Sequence, residues 1–171
     1  MPIHLIAAID NERALGYKGK LLTRLENDMR HFKSLTEGHF CIMGRRTYEE
    51  IGKPLDNREM LVLSRDTKYN PHPEVNVYNS TSDIIREYES YAEKQVDLYI
   101  CGGSQVYEEF LPFADYIHLT IIEHKFPNAD AYFPQFNISD WKVISNVYNE
   151  SDEKNKYDHS FVSYKRKQSN K

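Results

Sequence analysis

The sequence predicts an α/β domain built on a mostly parallel sheet. Short apolar runs recur along the 171 residues, and several are nearly continuous rather than alternating, as expected for strands that are covered on both faces. Segments with helical periodicity lie between these runs, and strands that alternate with helices imply a parallel sheet. The length fits one domain. We expect that domain to cover residues 1–167, followed by a frayed polar tail at residues 168–171.

Five apolar runs are the expected parallel strands. They are Ile3–Ile9, Phe40–Met43, Met60–Leu63, Leu98–Cys101 and Tyr116–Ile122. The chain ends differently, because Trp141–Tyr148 and Tyr157–Lys165 flank the polar turn Ser151–Lys156. This pattern is typical of a hairpin, so we expect a C-terminal antiparallel hairpin at the edge of the sheet.

Three segments between the strands have helical patterns. Apolar residues at helical spacing predict a helix over Leu25–Leu35. The cluster Ser80–Asp83 contains good N-cap residues and predicts the start of a second helix. A third helix follows Gly102–Gly103 and must stop by Pro112, because proline cannot continue a helix.

Composition and charge exclude several classes of protein. The formal net charge is −4, whereas a dedicated nucleic-acid binder is normally basic. No apolar run approaches the roughly 18 residues of a membrane helix, and Met1–Ile9 shows no export signal. Cys41 and Cys101 lie inside apolar runs and are typical of reduced core thiols. We therefore expect a cytoplasmic protein without membrane or nucleic-acid partners.

Two of the expected strands run into glycine and then into a helix, at Gly44–Thr47 and at Gly102–Gln105. Free backbone N–H groups at a helix start attract anions, and glycine lets the backbone approach a ligand closely. Two such junctions suit a diphosphate, with Arg45 and Arg46 adding charge-assisted hydrogen bonds. Glycine at either position is equally compatible with an ordinary tight turn.

The third expected strand ends in Ser64–Arg65. Arginine near an adenosine ribose accommodates a 2′-phosphate, whereas an acidic residue there favours NAD. The pair therefore suits NADP(H). The alternative is an ordinary exposed Ser-Arg pair at the end of a strand, without a role in binding.

One carboxylate lies on the apolar face of the first expected helix. On a helical wheel, Asp28 falls inside the stripe formed by Leu25, Met29, Phe32 and Leu35. A carboxylate facing an apolar interior is costly unless it is hydrogen-bonded or paired, and its pKa rises. We therefore expect this side chain to bind a cationic or amidine-like edge of a ligand. The alternative is a first-turn aspartate that is favoured by the helix dipole and reaches round to solvent.

Other catalytic chemistries have little support in the sequence. The seven histidines show no metal-ligand spacing, and neither an H-E-x-x-H nor a G-x-S-x-G motif occurs. Neither cysteine has a histidine close to it along the chain. We expect no metal site.

Taken together, these motifs resemble the dihydrofolate reductase family over nearly the whole chain. The matching segments are Leu5–Ala8, Leu15–Gly16, Asp28–Met29, Phe32–Lys33, Ile42–Leu55, Arg58, Gly102–Tyr107, Thr120, Asp130, Phe133–Pro134 and Asp152–Asn155. No single motif is specific, but their order and spacing together are. The resemblance implies a three-layer fold with an eight-stranded, mostly parallel mixed sheet, flanking helices and the C-terminal hairpin.

The resemblance also implies a reaction. A dihydrofolate reductase transfers hydride from NADPH to 7,8-dihydrofolate, yields tetrahydrofolate for one-carbon metabolism, and is a target of antifolate inhibitors. Asp28 would be the catalytic carboxylate, with Thr120 behind it, and Arg58 would bind the glutamate α-carboxylate of the substrate as a fork. The other substrate-binding residues would be Ile6, Met29, Phe32, Ile51, Leu55 and Cys101.

The NADPH site would extend from a nicotinamide pocket to a 2′-phosphate pocket. The residues implied for it are Ala8, Leu15, Gly16, Gly44, Arg45, Arg46, Thr47, Leu63, Ser64, Arg65, Gly102, Gly103, Ser104, Gln105, Val106 and Tyr107. The bond between Gly102 and Gly103 is cis in the family. We further expect a monomer.

One segment departs from the family pattern. Shortly after Leu15–Gly16 the family usually has a Pro-Trp pair, whereas this chain has Leu22–Thr23, and its single tryptophan is Trp141. The segment Lys18–Lys20 makes the loop cationic, and its glycine favours mobility. We predict a wetter and looser site with slower turnover and altered antifolate sensitivity.

Two other functions are alternatives. A reductase of the same fold could act on another heterocycle, such as a pyrimidine intermediate of riboflavin synthesis. Asp28 with Arg58 argues against it, because that pair suits a pterin with a glutamate tail. The second alternative is a nucleotide-binding module that has lost catalysis, which the absent Pro-Trp pair motivates.

Overall fold

A computed structural model describes residues 1–91 and 93–168, which form eleven strands and four α-helices. In chain order these elements are β1 (Ile3–Ile9), β2 (Ala14–Tyr17), β3 (Lys20–Leu21), α1 (Glu26–Thr36), β4 (Phe40–Gly44), α2 (Arg45–Ile51), β5 (Glu59–Leu63), β6 (Val75–Tyr78), α3 (Thr81–Glu89), β7 (Leu98–Ile100), α4 (Ser104–Phe110), β8 (Tyr116–Ile122), β9 (Ala131–Tyr132), β10 (Trp141–Asn149) and β11 (His159–Arg166).

Eight strands form the main sheet in the order β10-β11-β8-β1-β7-β4-β5-β6. The pairs from β8 to β6 are parallel, and β11 is antiparallel to both β8 and β10. The expected mostly parallel sheet with a C-terminal antiparallel hairpin is therefore confirmed.

The central strands are almost wholly buried, as their continuous apolar runs predict. β1 and β8 lie in the middle of the sheet and are paired on both sides. The main core contains Leu5, Ile42, Leu98, Ile117 and Phe110, each buried. Because helices cover the sheet, a strand in this position has no solvent-facing side to leave polar.

The helices begin and end close to their predicted positions. Ser80 caps α3, since its hydroxyl accepts a hydrogen bond from the Asp83 N–H at 3.2 Å. Helix α4 starts at Ser104 and ends at Phe110, and Pro112 lies in the single 3-10 turn that follows. The predicted helix over residues 25–35 is shifted by one residue to 26–36.

The apolar stripe of α1 does not pack fully into the core, which corrects the sequence-based expectation. Leu25 is 2% exposed, but Met29 is 37% exposed, and Phe32 and Leu35 are half-buried. Part of the stripe is therefore exposed to solvent. A second expectation also needs correction, because Cys101 is half-buried rather than a core thiol like the buried Cys41.

A small second sheet, with the strand order β3-β2-β9, escaped sequence prediction. β2 and β3 form a hairpin whose turn residues, Lys18 and Gly19, both have positive φ. Gly19 therefore has a defined role in a tight turn. A Cβ on Gly16 would lie 2.6 Å from the Lys20 carbonyl oxygen, so only glycine fits there.

The extent of the domain stays a prediction, and residues 169–171 of the expected tail lie outside the described residues. In the part of the chain that the structure describes, no helix has the length and apolar character needed to cross a membrane.

Candidate active site

The carboxylate on the first turn of α1 faces β8. Thr120 of β8 is 3% exposed, and its hydroxyl donates to Asp28 Oδ1 at 2.6 Å. Burial raises the pKa of the Asp28 carboxyl above its ordinary value of 3.8, and the Thr120 hydrogen bond lowers it by a smaller amount. Asp28 therefore turns toward the sheet and not round to solvent.

Two histidines that sequence reasoning missed lie near Asp28. His31 is one turn further along α1, and its ring stacks on Phe161 of β11 with centroids 4.0 Å apart. His159, at the start of β11, is fully buried. Both lower the pKa of Asp28, but less than burial raises it. The i+3 spacing of His31 could have revealed it, whereas His159 is too distant in sequence to give a local signal.

The strands next to Asp28 place main-chain groups that were predicted to bind substrate or cofactor near the Asp28 carboxylate. Ala8 of β1 pairs with Thr120, and Ile6 lies two residues earlier on the same face. Cys101 directly follows β7, the other neighbour of β1. The Ile6 carbonyl accepts a hydrogen bond of 2.6 Å from the Tyr107 hydroxyl. Tyr107, which was predicted to bind the cofactor, is therefore buried, and its hydroxyl is bound to the protein.

Arg58 lies at the opposite end of α1 from Asp28. Its Nη1 donates to the Thr36 hydroxyl at 3.4 Å, and its Nε donates to the Asp56 carbonyl at 2.8 Å. Asp28 and Thr36 are eight residues apart, a rise of about 12 Å at 1.5 Å per residue. An acidic group on the first turn of α1 and a cation beside its last turn therefore lie near opposite ends of one helix.

Apolar side chains expected around the substrate are only partly covered by protein. Met29 and Ile51 are 37% and 38% exposed, and Phe32 and Leu55 are half-buried. Large apolar side chains left accessible are typical of a cleft that a ligand covers.

The two glycine junctions lie side by side, because β4 and β7 are parallel neighbours. The Gly44 N–H donates to the Gly102 carbonyl at 2.9 Å. A Cβ on Gly44 would lie 3.3 Å from Val106 Cγ2. A Cβ on Gly103 would lie 3.5 Å from Thr47 Oγ1. Among the described residues no side chain caps α2 or α4, so first-turn N–H groups of both helices are available to an anion.

The residues expected around a 2′-phosphate lie close together, but two of them are engaged by protein. Arg45 pairs with Glu49 at 2.8 Å and lies 3.6 Å from the Asp66 carboxylate. Ser64 is 8% exposed, and its hydroxyl accepts from the Asp66 N–H at 3.1 Å. Arg65 is exposed. A phosphate at this place would compete with Asp66 for Arg45.

Other predicted cofactor residues occupy varied environments. Leu15 and Leu63 pack against the main core. The Ser104 hydroxyl donates to the Tyr132 carbonyl at 2.7 Å. Ser104 can therefore contact a ligand through its main chain but not by donating this hydroxyl proton. The Gly102–Gly103 bond is cis, as the family resemblance implies.

The segment that departs from the family pattern joins β3 to α1. Leu22 and Thr23 are both half-buried there, directly before the helix that carries Asp28. The consequence expected from the sequence, a wetter and slower site, stays a prediction. Within the described residues, no group of three or more His, Cys, Asp or Glu side chains is arranged to hold a metal ion.

The fold and the site together define a class of protein. A half-buried carboxylate with a raised pKa and two glycine junctions at the carboxyl ends of neighbouring parallel strands suit an α/β enzyme that binds a dinucleotide. A sequence model described as dihydrofolate reductase matches residues 2–166. The chain belongs to the dihydrofolate reductase family, whose members are NADP-dependent oxidoreductases.

Relatives from three bacteria agree with this assignment. The chain is 37% identical to a dihydrofolate reductase of Bacillus subtilis over 171 residues, which covers 99% of this chain and 97% of the relative. It is 36% identical to a dihydrofolate reductase of Staphylococcus aureus over 167 residues, covering 98% and 99%. A solved structure of the Enterococcus faecalis dihydrofolate reductase, in complex with NADP(H) and RAB-propyl, superposes with a TM-score of 0.88 at 34% identity, covering 98% of this chain and 97% of that one.

Proposed function

We propose that this chain reduces 7,8-dihydrofolate to 5,6,7,8-tetrahydrofolate with NADPH. The observation that carries the proposal is the placement of a half-buried acid, Asp28, and a cation, Arg58, at opposite ends of α1. Dihydrofolate has an amidine edge on its pterin ring and a carboxylate tail, and the two side chains complement these two ends. Relatives of nearly equal length that carry the name dihydrofolate reductase support the same substrate.

At the pterin end, Asp28 would hold the amidine edge and support protonation of the ring. Two carboxylate oxygens can accept the two parallel donors of an amidine. The Thr120 hydroxyl donates to one of these oxygens and thereby orients the carboxylate. Because its pKa is raised, the Asp28 carboxyl retains its proton at a higher pH than an exposed aspartate, which suits a group that takes part in proton supply.

At the other end, Arg58 would bind the glutamate α-carboxylate. A guanidinium group can form two parallel hydrogen bonds with a carboxylate, and its contacts with Thr36 and Asp56 hold the side chain beside the end of α1. Met29, Phe32 and other partly exposed apolar side chains would cover the middle of the substrate.

The glycine junctions would hold the cofactor, which supplies the hydride when bound. The adjacent uncapped helix starts fit a diphosphate, and a Cβ on Gly44 would lie only 3.3 Å from Val106 Cγ2, so glycine keeps the backbone accessible there. Arg45, Ser64 and Arg65 would hold the 2′-phosphate. Main-chain groups of residues 8 and 15 would hold the nicotinamide.

We further propose a monomeric, cytoplasmic enzyme that acts on small molecules and binds antifolate inhibitors. The two free thiols suit a reducing compartment, and the net charge of −4 is unfavourable for binding a polyanion. The partly exposed apolar cleft beside Asp28 is the surface that an inhibitor with an amidine edge would occupy.

The test is the loss of NADPH absorbance with dihydrofolate as substrate, for the parent protein and for Asp28→Asn. Turnover that the substitution abolishes supports the proposal. Turnover of a pyrimidine intermediate in place of dihydrofolate would identify the alternative reductase. Tight NADPH binding without any turnover would identify the binding module.

A further inference from the structure

The helix that carries Asp28 has no N-cap of its own. Leu25 stands at the N-cap position with extended backbone, and its apolar side chain cannot accept a hydrogen bond from the first turn. A helix start leaves its first N–H groups without partners inside the helix, and these groups need acceptors from elsewhere.

The missing acceptor comes from the loop between β10 and β11. Asn155 Oδ1 accepts a hydrogen bond of 2.8 Å from the Asn27 N–H, although the two residues are 128 positions apart. Asn155 is 1% exposed, whereas its loop neighbours are exposed. A buried amide at an exposed loop therefore occupies the place that a local Ser, Thr or Asp would take.

The amide of Asn155 is held in one orientation by Asp152. Its Nδ2 and its backbone N–H both donate to Asp152 Oδ1 at 2.9 Å, and the Lys154 N–H donates to the same oxygen at 2.9 Å. These hydrogen bonds place Nδ2 toward Asp152 and leave Oδ1 for the helix. They also lower the pKa of the Asp152 carboxyl, so the acceptor stays ionised at neutral pH.

A second contact joins the same hairpin to the same helical residue. His159 Nδ1 donates to the Tyr157 carbonyl at 2.9 Å, so its Nε2 is an acceptor for the Asn27 amide at 3.4 Å. Asn27 is thus bound through its main chain and its side chain, and Asp28 is the next residue.

The hairpin also anchors the partner of the carboxylate. β11 pairs with β8 so that Phe161 lies opposite Thr120. β11 and the loop before it therefore contact both sides of the Asp28–Thr120 hydrogen bond. The loop binds the residue before Asp28, and β11 pairs with the strand that carries Thr120.

We propose that Asn155 is a positioning residue that caps α1 from the β10–β11 loop and thereby sets the place of Asp28 against Thr120. This inference rests on the function proposed above. It adds to that site a residue, Asn155, that is far from Asp28 in the sequence. The titratable groups near that carboxylate are His31 on its own helix, His159 on β11 and Tyr107 on α4.

The substitution Asn155→Ala leaves the Asn27 N–H without its acceptor, and the first turn of α1 opens to water. Burial is the largest cause of the raised pKa of Asp28, so hydration moves that pKa down toward its ordinary value. We expect kcat/KM for dihydrofolate to fall about tenfold at neutral pH, because Asp28 is retained but less well placed and so loses only part of the 10²–10⁴-fold that a positioned acid contributes. The pH profile of the reaction should move to lower pH, and the Kd for NADPH should not change.

The experiment compares Asn155→Ala with Asn146→Ala, which changes an exposed asparagine of β10 in the same hairpin. It also includes a double variant that exchanges the two side chains, Asp152→Asn with Asn155→Asp. In this variant the carboxylate at position 155 is the acceptor for α1, and the amide at position 152 donates to it. We expect a normal profile for Asn146→Ala and recovery of most of the activity in the exchange variant. An unchanged pH profile in Asn155→Ala, or an equal loss of NADPH affinity, would overturn the proposal.

Two further measurements test the positioning role of Asn155 even if the variant does not fold or the parent protein does not reduce dihydrofolate. If Asn155→Ala does not fold, Asp152→Ala is the second variant, because it removes the hydrogen bonds that orient the Asn155 amide and leaves Asn155 itself in place. The pH profile of Asp152→Ala should then show the same move to lower pH. If the parent protein does not reduce dihydrofolate, the proposed function fails, but the 13C NMR titration of the Asp28 carboxyl in each variant still tests the positioning. A pKa equal to that of the parent in Asn155→Ala then rejects it.

Discussion

The two ends of the proposed cleft are built in different ways. At the pterin end, one half-buried carboxyl, Asp28, has a raised pKa and is hydrogen-bonded to Thr120, which is buried. At the 2′-phosphate end, Arg45 and Arg65 are exposed, and the first of these already pairs with Glu49.

This contrast determines where a single side chain can control binding or catalysis. Exclusion of water strengthens an electrostatic interaction, whereas exposed ion pairs are worth about 0–1 kcal/mol each. The pterin end should therefore depend on one residue, while binding at the phosphate end is shared among several weak contacts. Substitutions at each end test whether binding and catalysis are distributed in this way.

The largest effect is expected from Asp28→Asn, which keeps an acceptor for Thr120 but removes the acidic group. Loss of proton supply should lower the rate of dihydrofolate reduction by about 10²–10⁴-fold. The measurement is steady-state NADPH oxidation with Glu26→Gln as the matched control, because Glu26 is a first-turn acid that pairs with Arg30 on the surface. Equal rates in Asp28→Asn and the control would contradict the account.

The next effect is expected from Arg58→Lys. Lysine keeps the charge but cannot form the two parallel hydrogen bonds, and one charged hydrogen bond is worth about 1.5–3 kcal/mol. KM for dihydrofolate should rise about 10- to 100-fold with little change in kcat. A dihydropterin without the glutamate tail is the control substrate, and an equal loss with it would show that Arg58 acts on the pterin end instead.

A smaller gain is expected from Thr23→Trp, which covers the pterin end with an aromatic ring. Partial burial of such a ring should tighten pterin binding by about 5- to 10-fold and raise the turnover rate. Leu22→Ile is the control at the adjacent half-buried position. Unchanged affinity and rate would show that this segment does not border the pterin.

The folding stability of Asp28→Asn should change in the opposite direction to its activity. A carboxyl whose pKa is higher in the folded than in the unfolded state loses stability as pH rises through the interval between the two values. At neutral pH the parent therefore carries a cost that asparagine removes, so the variant should be more stable. The advantage should disappear below about pH 3.8, the ordinary aspartate value, and urea unfolding at several pH values measures it. A constant difference across pH would contradict the buried acid.

The smallest effect is expected at the phosphate end, from Asp66→Asn. This substitution frees Arg45 from an exposed carboxylate 3.6 Å away and removes a negative charge from the phosphate site. NADPH affinity should improve by about two- to fivefold, while NADH, which lacks the 2′-phosphate, should be unaffected. A change of more than tenfold would mean that the phosphate end also depends on one residue.

Sequence reasoning succeeded where the physical signal is local. The bounds of β1 and β8 match the predicted runs Ile3–Ile9 and Tyr116–Ile122, because nearly continuous apolar stretches mark strands buried on both faces. Ser80 was recognisable as an N-cap. Asp28 was found because one polar residue interrupts an apolar stripe, and the structure turns it toward Thr120.

The rest could not be predicted because it depends on contacts between distant segments. The sheet of β2, β3 and β9 rests on pairing across more than a hundred residues, and its strands are too short for a periodic pattern. Met29 belongs to an apolar stripe but is 37% exposed, and an apolar stripe left partly open has the same sequence pattern as one that faces the core. The bond from Asn27 to Asn155 has no trace in either segment alone.

The most direct test of the central claim is the titration of the Asp28 carboxyl carbon by 13C NMR in the ligand-free protein, with Asp28→Asn to assign the resonance. Burial against Thr120 predicts a midpoint above the ordinary value of 3.8 for the parent and no such resonance in the variant. A midpoint at or below 3.8 would mean that the carboxylate is solvated or held by a cation, and it would contradict the buried acid on which the pterin end is built.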